Sequence, residues 1–185
     1  MIDKKAAPTK LLWLDLEMTG LDPLKDVILE IGSEITDFDF KTLATYEACI
    51  KQPKEIVAKR MQANIWWKDY PENRDSFINN LEKGKPLKQA EQELIALVEE
   101  HFGNEPAVLA GNSIHSDRLF IKEYMPALDL KLHYRMLDVT SWKIVMQGKF
   151  TGKDFKKPEM HRAFEDIQGS IAELQYYLDW FKKQK

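Results

Sequence analysis

The chain has 185 residues, 44% of them hydrophobic and 31% charged, with a net charge of -3 and a pI near 5.9. That length holds one well-buried core and is short for two, so a single domain over 1–185 is expected, with residues 1–9 as a flexible N-terminal tail. The acidic balance argues against a protein that grips long nucleic acid through an extended basic face, because phosphate neutralisation takes many Lys and Arg, but it leaves a short anionic substrate open.

A lone Cys49 cannot form an intramolecular disulfide, and the N-terminus lacks the basic, apolar and small-residue pattern of a secretory leader; a cytoplasmic location is expected. The longest apolar runs fall far below the ~18 residues of a membrane span, so no membrane association is expected. Basic clusters at Lys153 with Lys156 and Lys157, and at Lys182 and Lys183, read as solvated surface.

Lys10 to Met18 alternates as a strand should and closes at Gly20-Leu21-Asp22-Pro23, where Gly and Pro favour a turn. Val27 to Thr36 and Leu43 to Lys51 are rich in β-branched and apolar residues, and their short links suggest an antiparallel meander. From Pro53 the pattern turns helical, and Leu87, Ala90, Leu94, Leu97, Val98 and His101 recur at the spacing of one buried helix face. Ala107 to Ala110 reads as a short buried strand, Ser116 to Met125 as a helix, Tyr134 to Val139 as a strand and Thr140 to Gln147 as a helix. A last long helix follows Pro158 and His161, with Ala163, Ile167, Ile171, Leu174, Leu178 and Phe181 as its apolar stripe. Strands alternating with helices after a meander predict an α/β fold, a mixed sheet with helices packed on it.

The chemistry begins on the first strand. Side chains two apart on a strand face the same way, so Asp15 and Glu17 project together. Adjacent anions repel unless a cation neutralises them, and hard oxygen ligands select Mg²⁺ or Mn²⁺ over zinc. About five D/E-x-D/E triplets arise by chance in a chain this acidic, so the spacing alone is weak. Its placement is stronger, because Leu11 and Trp13 lie on the same face and the carboxylates extend an apolar row.

Asp117 follows Gly111-Asn112-Ser113-Ile114-His115-Ser116 and so falls in the first turn of a helix, where capping or dipole complementarity is its ordinary role. The same loop could bind phosphate, with Asn112 and Ser113 as side-chain partners. His161 and Asp166 are five apart, about 140° of helical rotation, so His161 is expected to precede the helix and Asp166 to lie at the border of its apolar stripe. Either alone would pass as surface; four carboxylates and an imidazole together are what a metal-dependent nuclease requires.

The run Trp13-Leu14-Asp15-Leu16-Glu17-Met18-Thr19-Gly20-Leu21-Asp22-Pro23, the Gly111-Asn112-Ser113…Asp117 segment, His133-Tyr134-Arg135…Asp138-Val139 and His161-Arg162-Ala163…Asp166-Ile167 occur in order over nearly the whole chain. Together they resemble the oligoribonuclease branch of the DEDDh exonuclease family. The resemblance implies a ribonuclease H-like five-stranded sheet flanked by helices, and a 3′-to-5′ exoribonuclease that degrades very short RNA oligonucleotides, especially dinucleotides, to 5′-mononucleotides. It implies that Asp15, Glu17, Asp117 and Asp166 hold two Mg²⁺ or Mn²⁺ ions and that His161 is the general base. It further implies a homodimer, a wedge between the two bases at Leu21, and 5′-phosphate contacts at Ser113, Arg135 and Thr140, the last a position where serine is usual in the family.

One segment departs from the family pattern. Where members carry a base-stacking tryptophan and a partner-supplied histidine, this chain reads Met61-Gln62-Ala63-Asn64-Ile65-Trp66-Trp67-Lys68-Asp69-Tyr70-Pro71-Glu72-Asn73-Arg74, and its four histidines lie elsewhere. Trp66 or Trp67 could supply stacking, with a dimer or core tryptophan as the equal alternative, and Lys68 or Arg74 could replace the phosphate contact. Two other functions compete: a DEDDh exonuclease that trims longer single strands, against which the acidic pI weighs, and a catalytically silent adaptor, against which the intact carboxylate set weighs.

Overall fold

The computed structural model describes residues 7–150, 155–156 and 161–183. Most of the expected tail, Lys153, Lys157 and Pro158 therefore lie outside the described residues, and residues 7–9 are exposed coil. Strands β1 (Lys10–Met18), β2 (Ile28–Asp37) and β3 (Thr42–Cys49) form the expected antiparallel meander. Three short helices follow, α1 (Lys54–Ala63), α2 (Trp66–Asp69) and α3 (Pro71–Asn80), and then α4 (Leu87–Phe102). The remaining elements are β4 (Ala107–Gly111), α5 (His115–Tyr124), α6 (Pro126–Asp129), β5 (Leu132–Asp138), α7 (Val139–Lys149) and α8 (Ala163–Lys182). The five strands make one sheet in the order β3-β2-β1-β4-β5, with β1, β4 and β5 parallel and β2 and β3 antiparallel.

β1 is buried on both faces, which is why its sequence reads as nearly continuous apolar residues. Leu12, Leu14 and Leu16 face one core with Ala90, Leu94 and Val98 of α4 and Phe120 and Ile121 of α5. Leu11 and Trp13 face the opposite core with Val139 and Met146 of α7 and Ile167, Ile171 and Leu174 of α8. The period-two pleat carries Asp15 and Glu17 to this second, α8 side at the strand's C-terminal end.

A third, smaller core gathers Val57, Met61, Trp67, Phe77 and Leu81 from α1–α3 and the turn after it over Leu29 of β2. Trp67 is one of its keystones: it is 1% exposed, and its indole N–H donates to the Thr19 carbonyl at 3.0 Å. The Asn64 amide donates to the same carbonyl at 3.1 Å, so the α1–α2 joint is fastened to the end of β1. Of the two tryptophans, Trp67 is thus the core residue. Trp67→Ala is expected to lower stability by about 3–5 kcal/mol, since it opens a cavity and removes one of the two hydrogen bonds to the Thr19 carbonyl. Chemical denaturation measures this, and a loss below ~1 kcal/mol would mean that the small core does not hold the segment.

Candidate active site

Asp15, Glu17 and Asp166 each offer a carboxylate oxygen within 4.8 Å of the others. Two come from β1; the third comes from the first turn of α8, which must approach the sheet closely to deliver it. Gly32 permits that approach. It pairs with Asp15 across β1–β2, and a Cβ there would lie 2.7 Å from the Ala163 main chain.

The N-terminus of α8 is held by Glu30, a buried residue of β2 paired with Glu17. Glu30 accepts from the Ala163 amide at 3.0 Å, which caps the helix, and receives the Arg162 guanidinium through Nε at 3.1 Å and Nη2 at 2.6 Å. Sequence reasoning passed over Glu30, although a lone carboxylate inside the apolar run Ile28-Leu29-Glu30-Ile31 was a readable signal.

Glu17 is 9% exposed, and its pKa is pushed up to about 8, first by burial and then by the charges of Asp166, Glu30 and Asp117. Arg162 opposes that shift, yet its guanidinium is already committed to Glu30. Asp117 stands where expected, in the first turn of α5, buried, with its Oδ1 accepting from the Leu16 amide at 2.9 Å. Burial raises its pKa, while the hydrogen bonds from the Leu16 and Asp117 amides pull the other way. An anionic cluster drawn together by the fold fits a divalent cation: the donors are hard oxygens, the neighbouring carboxylates raise the Glu17 pKa, and a dication would relieve their repulsion.

His161 precedes α8, with Arg162 as the N-cap, and its main chain is left-handed at φ 50°. Its carbonyl accepts from Asn73 of α3 at 3.3 Å. Its ring packs edge-on against Trp66 at 4.8 Å and Tyr70 at 4.1 Å between centroids. Trp66 is 37% exposed, so part of its indole remains open beside the imidazole.

The turn after β1 projects Leu21, which is 76% exposed. Asp26 organises this turn, accepting from Thr19 Oγ1 at 2.8 Å and from the Asp22 amide at 3.0 Å. Its carboxylate oxygen lies 2.5 Å from where a Cβ on residue 20 would be, so a side chain there would push Asp26 out of these bonds.

Ser113 and Thr140 meet, their hydroxyl oxygens 3.2 Å apart, and the Ser113 amide donates to both Thr140 Oγ1 and Asp138 Oδ1 at 3.0 Å. Asp138 also caps α7 through the Thr140 amide. Asn112, read as a phosphate partner, is turned inward instead, its amide donating to Ser170 Oγ and Glu173 Oε2 of α8. Arg135 lies on exposed β5 with its guanidinium over the Tyr134 ring at 5.2 Å. Lys68 is exposed on α2, and Arg74 pairs with Asp75 at 2.9 Å.

A mixed sheet whose central strand carries converging carboxylates, joined by α8, defines an exonuclease domain, and residues 12–174 match the family model described as Exonuclease. Oligoribonuclease of Francisella tularensis subsp. tularensis (strain WY96-3418) is 38% identical over 169 residues, covering 90% of this chain and 93% of its own. Oligoribonuclease of Pseudomonas aeruginosa strain PAO1 is 37% identical over 180 residues, 95% of this chain and 98% of its own. The chain belongs to the oligoribonuclease family. Among solved structures, exonuclease I from Methylocaldum szegediense superposes with a TM-score of 0.59 at 14% identity, over 92% of this chain and 40% of that one. E. coli exonuclease I in complex with a 5cy-dA13 oligonucleotide gives 0.56 at 11%, with the same coverage. This chain thus spans about 40% of those proteins, and the likeness bears out the ribonuclease H-like fold.

Proposed function

We propose that this protein is a divalent-metal-dependent exoribonuclease that removes 5′-mononucleotides from the 3′ end of very short RNAs, dinucleotides above all. The observation that carries the reading is the cluster of Asp15, Glu17 and Asp166 within 4.8 Å, in a chain of the oligoribonuclease family.

Asp15, Glu17, Asp117 and Asp166 would hold two Mg²⁺ or Mn²⁺ ions. Bound there, the cations would supply charge neutralisation for the scissile phosphate and for the attacking and leaving oxygens. The protein's own contribution is placement. β1 fixes Asp15 and Glu17, the Leu16 amide orients Asp117, and the Glu30 cap sets the first turn of α8 and with it Asp166. Glu17 and Asp117 are buried and Asp15 and Asp166 partly so, which makes charge interactions there exceed those in solution. His161 accepts the proton of the attacking water, a task suited to an imidazole near neutral pH.

Leu21, projecting from its Asp26-braced turn, wedges between the two bases, and the open part of Trp66 stacks on one of them. The paired hydroxyls of Ser113 and Thr140 and the guanidinium of Arg135 hold the 5′ phosphate, which limits the length of chain that fits. A homodimer belongs to this reading; the exposed Tyr134 and Met136 on the edge strand β5 support it. No helix among the described residues is long and apolar enough to cross a membrane.

A 5′-labelled RNA tetranucleotide tests polarity and product together. With Mg²⁺ or Mn²⁺ it is expected to shorten one residue at a time from the 3′ end, releasing 5′-mononucleotides, and to stay intact in EDTA. Internal cuts, or products bearing 3′ phosphates, would contradict the reading.

A further inference from the structure

Three rings close on one another just ahead of α8, the helix that carries Asp166: Tyr70 to His161 at 4.1 Å, Trp66 to Tyr70 at 4.6 Å and Trp66 to His161 at 4.8 Å. The planes of Tyr70 and Trp66 stand at 67° and 85° to the imidazole, the edge-to-face arrangement that aromatic quadrupoles favour. We infer that Tyr70 is a positioning residue for His161, its ring holding the imidazole in the orientation from which it accepts a proton. The inference rests on the reading of His161 as the proton acceptor.

The two halves of His161 are held by different elements. Its main chain is fixed by the Asn73 amide on one side and, through Arg162 and Ala163, by Glu30 on the other. Those contacts tolerate a left-handed residue but leave rotation about the side-chain bonds undecided. The α2–α3 joint supplies the two rings that face the imidazole. Tyr70 sits at φ -124° and ψ 59° between α2 and α3, and Pro71 opens α3, so Tyr70 is confined away from the helical region by the following proline. Trp67, the neighbour of Trp66, pins α2 to Thr19 at the end of β1. The segment therefore transmits the position of β1, which carries Asp15 and Glu17, to the ring of His161. This also accounts for the aromatic run in a stretch that lacks a histidine of its own.

Tyr70→Leu, Tyr70→Met and Tyr70→Phe are compared with wild type and His161→Ala on a 5′-phosphorylated RNA dinucleotide, with Mn²⁺ affinity measured by electron paramagnetic resonance. The His161 ring resonance is followed in ¹³C-histidine-labelled, metal-free protein and assigned by its loss in His161→Ala. Tyr70→Leu and Tyr70→Met are expected to lower kcat by about 10- to 100-fold with KM and Mn²⁺ affinity unchanged, and to move the His161 resonance. Tyr70→Phe, which keeps the ring, is expected to restore both kcat and resonance. Wild-type kcat in Tyr70→Leu or Tyr70→Met beside an inactive His161→Ala would overturn the positioning role and leave the proton acceptor standing; so would an unmoved resonance. Should Leu unfold the joint, as its melting curve would reveal, Met decides by the same criteria. A fully active His161→Ala variant would strike the proton acceptor itself, and the positioning role with it.

Discussion

His161→Ala is expected to slow RNA dinucleotide hydrolysis by about 10²- to 10⁴-fold, the usual contribution of a positioned general base, while Mn²⁺ binding to the carboxylates is essentially unchanged. The separation of the two effects follows from the structure. The metal-ligand candidates Asp15 and Glu17 sit on β1, and Asp166 is delivered by a helix whose N-terminus is capped by Glu30 rather than by His161. Removing the imidazole leaves that cap, the Arg162–Glu30 pair and the close packing of Gly32 on Ala163 intact. Single-turnover rates and Mn²⁺ titration measure the two quantities separately. A variant that loses metal affinity along with activity would place His161 in the metal site or in the structural support of α8.

Glu17→Gln is expected to move activity and stability in opposite directions. Activity falls by about 10³-fold or more, because a neutral amide cannot replace an anionic ligand at a site whose work is electrostatic. The metal-free protein becomes more stable at alkaline pH, by roughly 1–3 kcal/mol, because the cost of ionising a buried carboxyl among Asp166, Glu30 and Asp117 disappears.

The sign follows from where Glu17 titrates. Its folded pKa of about 8 lies above the ordinary value of 4.5. Below the ordinary value both states are protonated and the contribution to stability is fully present. As pH rises, the unfolded chain ionises while the folded site keeps its proton, so stability is lost progressively until about pH 8. Metal-free wild type should therefore lose stability across that window, Glu17→Gln should lose less, and Mn²⁺ should stabilise wild type increasingly as pH rises, since binding must displace the proton. Melting curves across the window, with and without Mn²⁺, check all three. Parallel pH profiles for wild type and variant would show Glu17 to be an ordinary solvated carboxylate.

Much of this arrangement was legible in the sequence because it depends on local periodicity. β1 begins and ends where expected, at Lys10 and Met18; its first half is apolar on both faces rather than alternating, but the pleat alone put Asp15 and Glu17 on one face. Asp117 at the start of α5 and His161 just ahead of α8 follow from loop and helix signals near each residue. What stayed hidden depends on contacts between distant parts of the chain. Glu30 lies well over a hundred positions before the helix it caps; its apolar neighbours mark it as a buried carboxylate but cannot name its distant partner. Asn112 looked available for phosphate because its polar neighbours suggested a loop; its amide is taken up by Ser170 and Glu173 of α8. The stretch from Pro53 read as generally helical, yet it breaks into α1, α2 and α3. The joints at Asn64 and Tyr70 exist to fold Trp67 under and to bring Trp66 and Tyr70 against His161. The two adjacent tryptophans could not be told apart by sequence, since a four-residue helix points neighbours in different directions: Trp67 into the small core, Trp66 to the surface.

The most direct test of the central claim is hydrolysis of 5′-labelled RNAs of two to ten nucleotides with Mg²⁺ or Mn²⁺, beside an EDTA control and Asp117→Ala. The account expects metal-dependent cleavage that is fastest on the dinucleotide and lost in the variant. Equal or faster cleavage of the longer chains would contradict the short-substrate reading in favour of a trimming exonuclease, and no cleavage at any length would contradict catalysis itself.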